Sequence, residues 1–119
     1  RTKLFKINAA NDAVTSIEST TLKDALNMDI DGDKIYYTQG TGVYVINTNA
    51  TSFSNTPLFS VTDNSWSTFY GFGVIDGKIY SGDANGFTAD GTVTVYSTTG
   101  TVLKTLTVGI GPNGFYSNN

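Results

Sequence analysis

The residues best placed to do chemistry in this 119-residue chain are carboxylates and aromatics, because it contains no histidine and no cysteine. It cannot supply a Ser-His-Asp triad, a thiolate nucleophile, a zinc site of the usual ligands or a disulfide. Acid–base work would fall to Asp29, Asp63, Asp83 and tyrosines, and these show no recognisable pairing in the sequence. The chain reads as non-enzymatic. Asp29, Asp31 and Asp33 alternate as calcium ligands do, but Lys34 and Gly40 stand where an EF-hand loop needs glycine and a bidentate glutamate. A hairpin turn with Asp31 and Asp33 in solvent is the better reading, and neither metal nor cofactor is expected. The glycine clusters Gly71-Phe72-Gly73 and Gly109-Ile110-Gly111-Pro112-Asn113-Gly114 lack the strand-then-helix setting of a phosphate cradle, so they read as points of close backbone approach.

Three stretches concentrate aromatic rings beside amides and carboxylates. Residues 62–70 hold Trp66, Phe69 and Tyr70; residues 81–90 hold Asp83, Asn85 and Phe87; residues 111–115 hold Asn113 and Phe115. Rings offer faces on which a flat, amphipathic ligand can stack, and polar groups orient it. These eight residues are the candidate ligand-binding set. The alternative is structural, with Trp66 and Phe69 packed between sheets and Phe87 capping its own loop.

The elements that would carry these loops are strands. Only 14% of residues are charged and 39% are hydrophobic, which is too apolar for disorder, and no apolar run is long enough to span a membrane. Seven scattered cations against ten carboxylates form no basic patch, so nucleic acid is not an expected partner. Thr, Ser and Asn make up 40 of the 119 residues, a composition suited to extracellular β-proteins. Helical periodicity is weak throughout. Short β-branched or aromatic runs bounded by Gly, Asn or Asp recur instead: Leu4-Phe5-Lys6-Ile7, Ile35-Tyr36-Tyr37-Thr38, Val43-Tyr44-Val45-Ile46, Leu58-Phe59-Ser60-Val61, Ile79-Tyr80-Ser81, Val93-Thr94-Val95-Tyr96 and Val102-Leu103-Lys104-Thr105-Leu106.

These runs repeat in order. Ile30-Asp31-Gly32-Asp33-Lys34-Ile35-Tyr36 matches Ile75-Asp76-Gly77-Lys78-Ile79-Tyr80, each reading as a hairpin around Asp-Gly. A third and a fourth strand follow each hairpin, and Ile35 and Ile79 stand 44 residues apart, the period of a four-stranded propeller blade. The expected fold is all-β: the C-terminal part of a β-propeller, with two whole blades, a leading half-blade and a trailing strand. Residues 1–24 end one blade, 25–64 and 65–109 are whole blades, and 110–119 form a closing innermost strand. Closed propellers need about four to eight blades, so the remaining N-terminal blades of the same propeller are the expected partner. A complete β-sandwich is the competing architecture. In the propeller reading the three aromatic stretches open at one channel mouth, and the second is six residues longer than its counterpart.

Ile75-Asp76-Gly77-Lys78-Ile79-Tyr80, Val93-Thr94-Val95-Tyr96-Ser97-Thr98-Thr99-Gly100 and Val108-Gly109-Ile110-Gly111-Pro112-Asn113-Gly114-Phe115-Tyr116 resemble the C-terminal blades of YncE-like, surface-layer-type seven-bladed β-propellers of Bacteroidetes-type bacteria. The resemblance implies an exported protein at the bacterial outer surface or in the periplasm, in a family with surface lipoproteins. One branch of that family captures cobalamin (vitamin B12) and hands it to an outer-membrane transporter. It therefore implies a non-enzymatic ligand-binding propeller with a cobalamin-like small molecule as ligand. A protein-interaction or cell-envelope scaffold is the alternative function.

Overall fold

The computed structural model describes residues 1–62 and 65–118. It is all-β. Strands β1 (Lys3–Ile7) and β2 (Val14–Glu18) form a hairpin, the first sheet. Strands β3 (Leu26–Asp31), β4 (Lys34–Gln39), β5 (Gly42–Asn47) and β6 (Phe59–Ser60) form a second, and β7 (Gly71–Ile75), β8 (Lys78–Asp83), β9 (Thr92–Ser97) and β10 (Val102–Thr107) a third. Both larger sheets are antiparallel meanders in chain order. Among the described residues no helix is long and apolar enough to cross a membrane.

Turn chemistry sets the hairpins. Asp76 and Gly77 take positive φ (49° and 72°) between paired Ile75 and Lys78, as a two-residue turn that follows the strand twist requires. In the second sheet the same task falls to Gly32 (φ 61°), and Asp31 is already the last residue of β3, paired with Lys34. The two motifs that look aligned at Asp-Gly are thus offset by one residue, and the true equivalent of Asp31 is Ile75. From there the ladders coincide. Ile35 faces Ile46 as Ile79 faces Tyr96, and Tyr36 faces Val45 as Tyr80 faces Val95.

Strand alternation gives each sheet two apolar faces. One face of the second sheet (Ile35, Tyr37, Ile46) packs on Leu4 and Ile17 of the hairpin, with Leu22 buried alongside. Its other face (Tyr36, Val43) packs on Val74 and Ile79 of the third, with Phe69. Each sheet therefore presents the same face to its predecessor.

Polar bonds fasten the last two sheets. Asp29 Oδ2 accepts from the backbone N–H of Val74 (2.7 Å), and Asp31 Oδ2 from that of Gly77 (2.8 Å). This corrects the expectation that Asp31 is a solvated turn residue: it spans the gap to the next sheet.

Residues 108–118 carry no strand. They cross the outer face of the third sheet instead, where Phe115 lies 5.5 Å from the Tyr80 ring. A Cβ at Gly71 or at Gly82 would come within 2.7 Å of the Pro112 carbonyl, so glycine is what lets this segment lie so close.

Burial, reinforced by the negative charges of Asp31 and Asp33, raises the Tyr36 phenol above its ordinary pKa near 10. Burial raises Tyr37 as well, with Tyr44 adding to it. A phenol whose folded-state pKa lies above its unfolded value stabilises the fold below about pH 10, and that stability is lost as pH rises further. The melting temperature is accordingly expected to fall above about pH 10, and Tyr36→Phe with Tyr37→Phe should move that fall to higher pH in a pH series of thermal melts. An unchanged alkaline limb would show that other groups cause it.

Candidate functional site

Residues 65–70 and 81–90 meet at the end of the third sheet where β7 begins and β8 finishes, since Gly71 pairs with Gly82. Asp83, the last residue of β8, organises them. Its Oδ1 accepts from the Ser67 hydroxyl (3.0 Å) and from the Asn85 N–H (2.7 Å). Ser67 is 1% exposed, and its oxygen also accepts from the Gly86 N–H (3.1 Å). The Asn85 amide donates to the Asp90 carbonyl (2.7 Å) and closes the loop.

These bonds hold a short 3₁₀ turn, Asn85–Phe87, in which Phe87 has a φ of 62°. Such a backbone costs a bulky residue about 1–3 kcal/mol and persists where its surroundings impose it. Its effect is to aim the ring at two others. Trp66 stacks on Phe87 at 5.8 Å and 20°, and Tyr70 meets it edge-on at 4.8 Å and 87°. The cluster faces water, with Trp66 72% exposed and Phe87 43%.

Beside Trp66 a groove of about 320 Å³ runs between the second and third sheets, with Leu26, Thr38, Gln39 and Phe69 in its walls. No described residue lining it is charged. Asn27 (φ 55°) ties it together, donating to the Phe69 carbonyl (2.9 Å) and the Thr38 hydroxyl (3.1 Å). Gln39 carries a buried Oε1 that accepts no hydrogen bond from the described residues.

Of the eight residues singled out from sequence, Trp66, Tyr70 and Phe87 come together as exposed rings. Asp83 and Asn85 position them. Phe69 turns into the core, edge-on to Phe72 at 6.2 Å, as its structural reading anticipated. Asn113 is exposed, and Phe115 packs on Tyr80, away from the cluster. The third stretch still reaches the cluster through Gly111, where a Cβ would lie 2.7 Å from the Phe87 ring. Asp63 lies outside the described residues. Sequence reasoning missed Leu26, Thr38 and Gln39. The turn after Gln39 is short and carries no aromatic residue, so residue type offers no reason to choose them.

This arrangement can stack a ring and offer it hydrogen bonds. A scan against protein-family models finds no match for the chain, and a search of the curated proteins finds none either.

Proposed function

We propose that this chain is part of a β-propeller that binds a small amphipathic ligand without transforming it, at the end where Trp66, Tyr70 and Phe87 cluster. The propeller reading is supported by the repeated register and by each sheet turning the same face to its predecessor. It is supported also by what is left uncovered. Leu26, Met28 and Ile30 line one face of β3 and are each more than half exposed, as are Phe5, Ile7 and Val14 on the hairpin. Apolar faces of this kind mark sites that other polypeptide covers, and further blades of the same ring are the natural cover.

One observation carries the ligand reading: three clustered rings are held in water on a strained backbone by a half-buried Ser67–Asp83 bond. A fold gains nothing from exposing them, whereas a ligand would bury them. The YncE-like resemblance points to an exported, surface-held protein and names cobalamin as the first ligand to try, for delivery to an outer-membrane transporter.

Calorimetric titration of the protein with cyanocobalamin tests this. Saturable heat is expected, and no heat at tens of micromolar discards the vitamin. Trp66→Ala should weaken binding by roughly 1–3 kcal/mol while the melting temperature stays put, since the side chain is 72% exposed. Unchanged affinity with a lowered melting temperature would make Trp66 a structural residue.

A further inference from the structure

The two larger sheets differ at one repeated position, and the difference opens a second cleft. In the second sheet Tyr37 pairs with Tyr44, and their rings stack at 5.4 Å and 10° within the core. The same position in the third sheet pairs Ser81 with Thr94. Two rings give way to two hydroxyls, and a cleft of about 380 Å³ lies there between the second and third sheets. Asp83 and Thr92, the adjoining pair toward the mouth, line it, and Phe59 and Tyr96, with rings 5.2 Å apart, flank it.

The polar groups of this cleft have bonding capacity to spare. Ser81 is 6% exposed, yet its hydroxyl bonds to none of the described residues, and neither does that of Thr94. Asp83 spends Oδ1 on Ser67 and Asn85, and its Oδ2 accepts from none of the described residues. These groups reach water through the open cleft, and a ligand that takes up their spare bonding capacity replaces that water with direct bonds.

We propose that this cleft binds a neutral sugar. Sugar hydroxyls both donate and accept, which matches a lining of hydroxyls, and a carboxylate oxygen accepts from them directly. The Phe59 and Tyr96 rings offer an apolar flank to the C–H face of a pyranose. No lysine or arginine lines the cleft among the described residues, and Asp83 repels anions, so phosphorylated and acidic sugars are disfavoured. The volume lies at the small end of the range for ligand sites, roughly 300–1,000 Å³. This is a site distinct from the Trp66 cluster and stands whether or not that cluster binds cobalamin.

Amide NMR spectra of the protein titrated with glucose, maltose and glucuronate test it. Saturable shifts centred on Ser81 and Thr94 are expected for a neutral sugar, with glucuronate at least about tenfold weaker. Ser81→Ala and Thr94→Val should each weaken the sugar about tenfold without lowering the melting temperature. Valine suits a strand at least as well as threonine, so the second variant keeps the fold. The proposal is overturned by an absence of saturation with either neutral sugar up to about 100 mM, by equal binding of glucuronate, by shifts centred on Trp66 and Phe87 instead, or by variants that bind as the parent does.

Discussion

Ile79→Ala is expected to lower the unfolding free energy by about 2–5 kcal/mol, a large share of the roughly 5–15 kcal/mol typical of a folded domain. Ile79 is fully buried between the second and third sheets, against Tyr36, Val43, Phe69 and Val74. Its neighbours sit in hydrogen-bonded ladders and cannot collapse into the space it leaves, so the cavity persists. Met28→Ala is the control, because Met28 is 56% exposed and its truncation should cost within about 0.5 kcal/mol. Urea unfolding of both variants measures the difference. A cost below about 1 kcal/mol for Ile79→Ala would mean that the two sheets do not share a core.

The second large effect falls on Asp29. Its carboxylate accepts from the N–H of Val74, the next-to-last residue of β7. Asp29→Ala leaves that donor facing an empty space, at an expected cost of about 1.5–3 kcal/mol. Asp29→Asn keeps an uncharged acceptor in place and should recover part of it. Amide exchange at Val74 separates this account from a general loosening: it should quicken selectively in Asp29→Ala and return toward the parent rate in Asp29→Asn. Exchange that quickens equally along β8 and β9 would show that Asp29 acts on the whole sheet rather than through one bond.

These two residues also show how far the sequence could be read. Ile79 is legible as a strand residue because it sits in a β-branched and aromatic run that recurs 44 residues after Ile35, and so are the strands around it. Local alternation and two-residue turns involve neighbours a few positions apart, which a sequence displays directly. The Asp29 bond joins residues 45 positions apart through a backbone N–H, which has no signature in residue type. Asp31 was misplaced for the same reason, and because its motif aligns with the second copy one residue out of register. Residues 111–117 are expected to form a strand from their place after a fourth strand, and here they cross the outer face of the third sheet without strand pairing.

At the site the same division holds. Trp66, Tyr70 and Phe87 could be selected as ring-bearing loop residues at one end of the strands. Phe69, three positions after Trp66, could not be told from them until the chain direction through the loop placed it inward. Ser67 carries the loop geometry and was invisible, being one serine among ten. The contrast between Tyr37–Tyr44 and Ser81–Thr94 emerges only once strand register pairs them.

In the proposed ring these sheets are consecutive blades, and the exposed Leu26, Met28 and Ile30 lie where further blades would cover them. Sedimentation velocity on the isolated 119-residue chain, combined with its thermal unfolding, tests this most directly. Concentration-dependent association with a broad, weakly cooperative transition is the predicted result. A monomer at every concentration that unfolds in one sharp transition would contradict it.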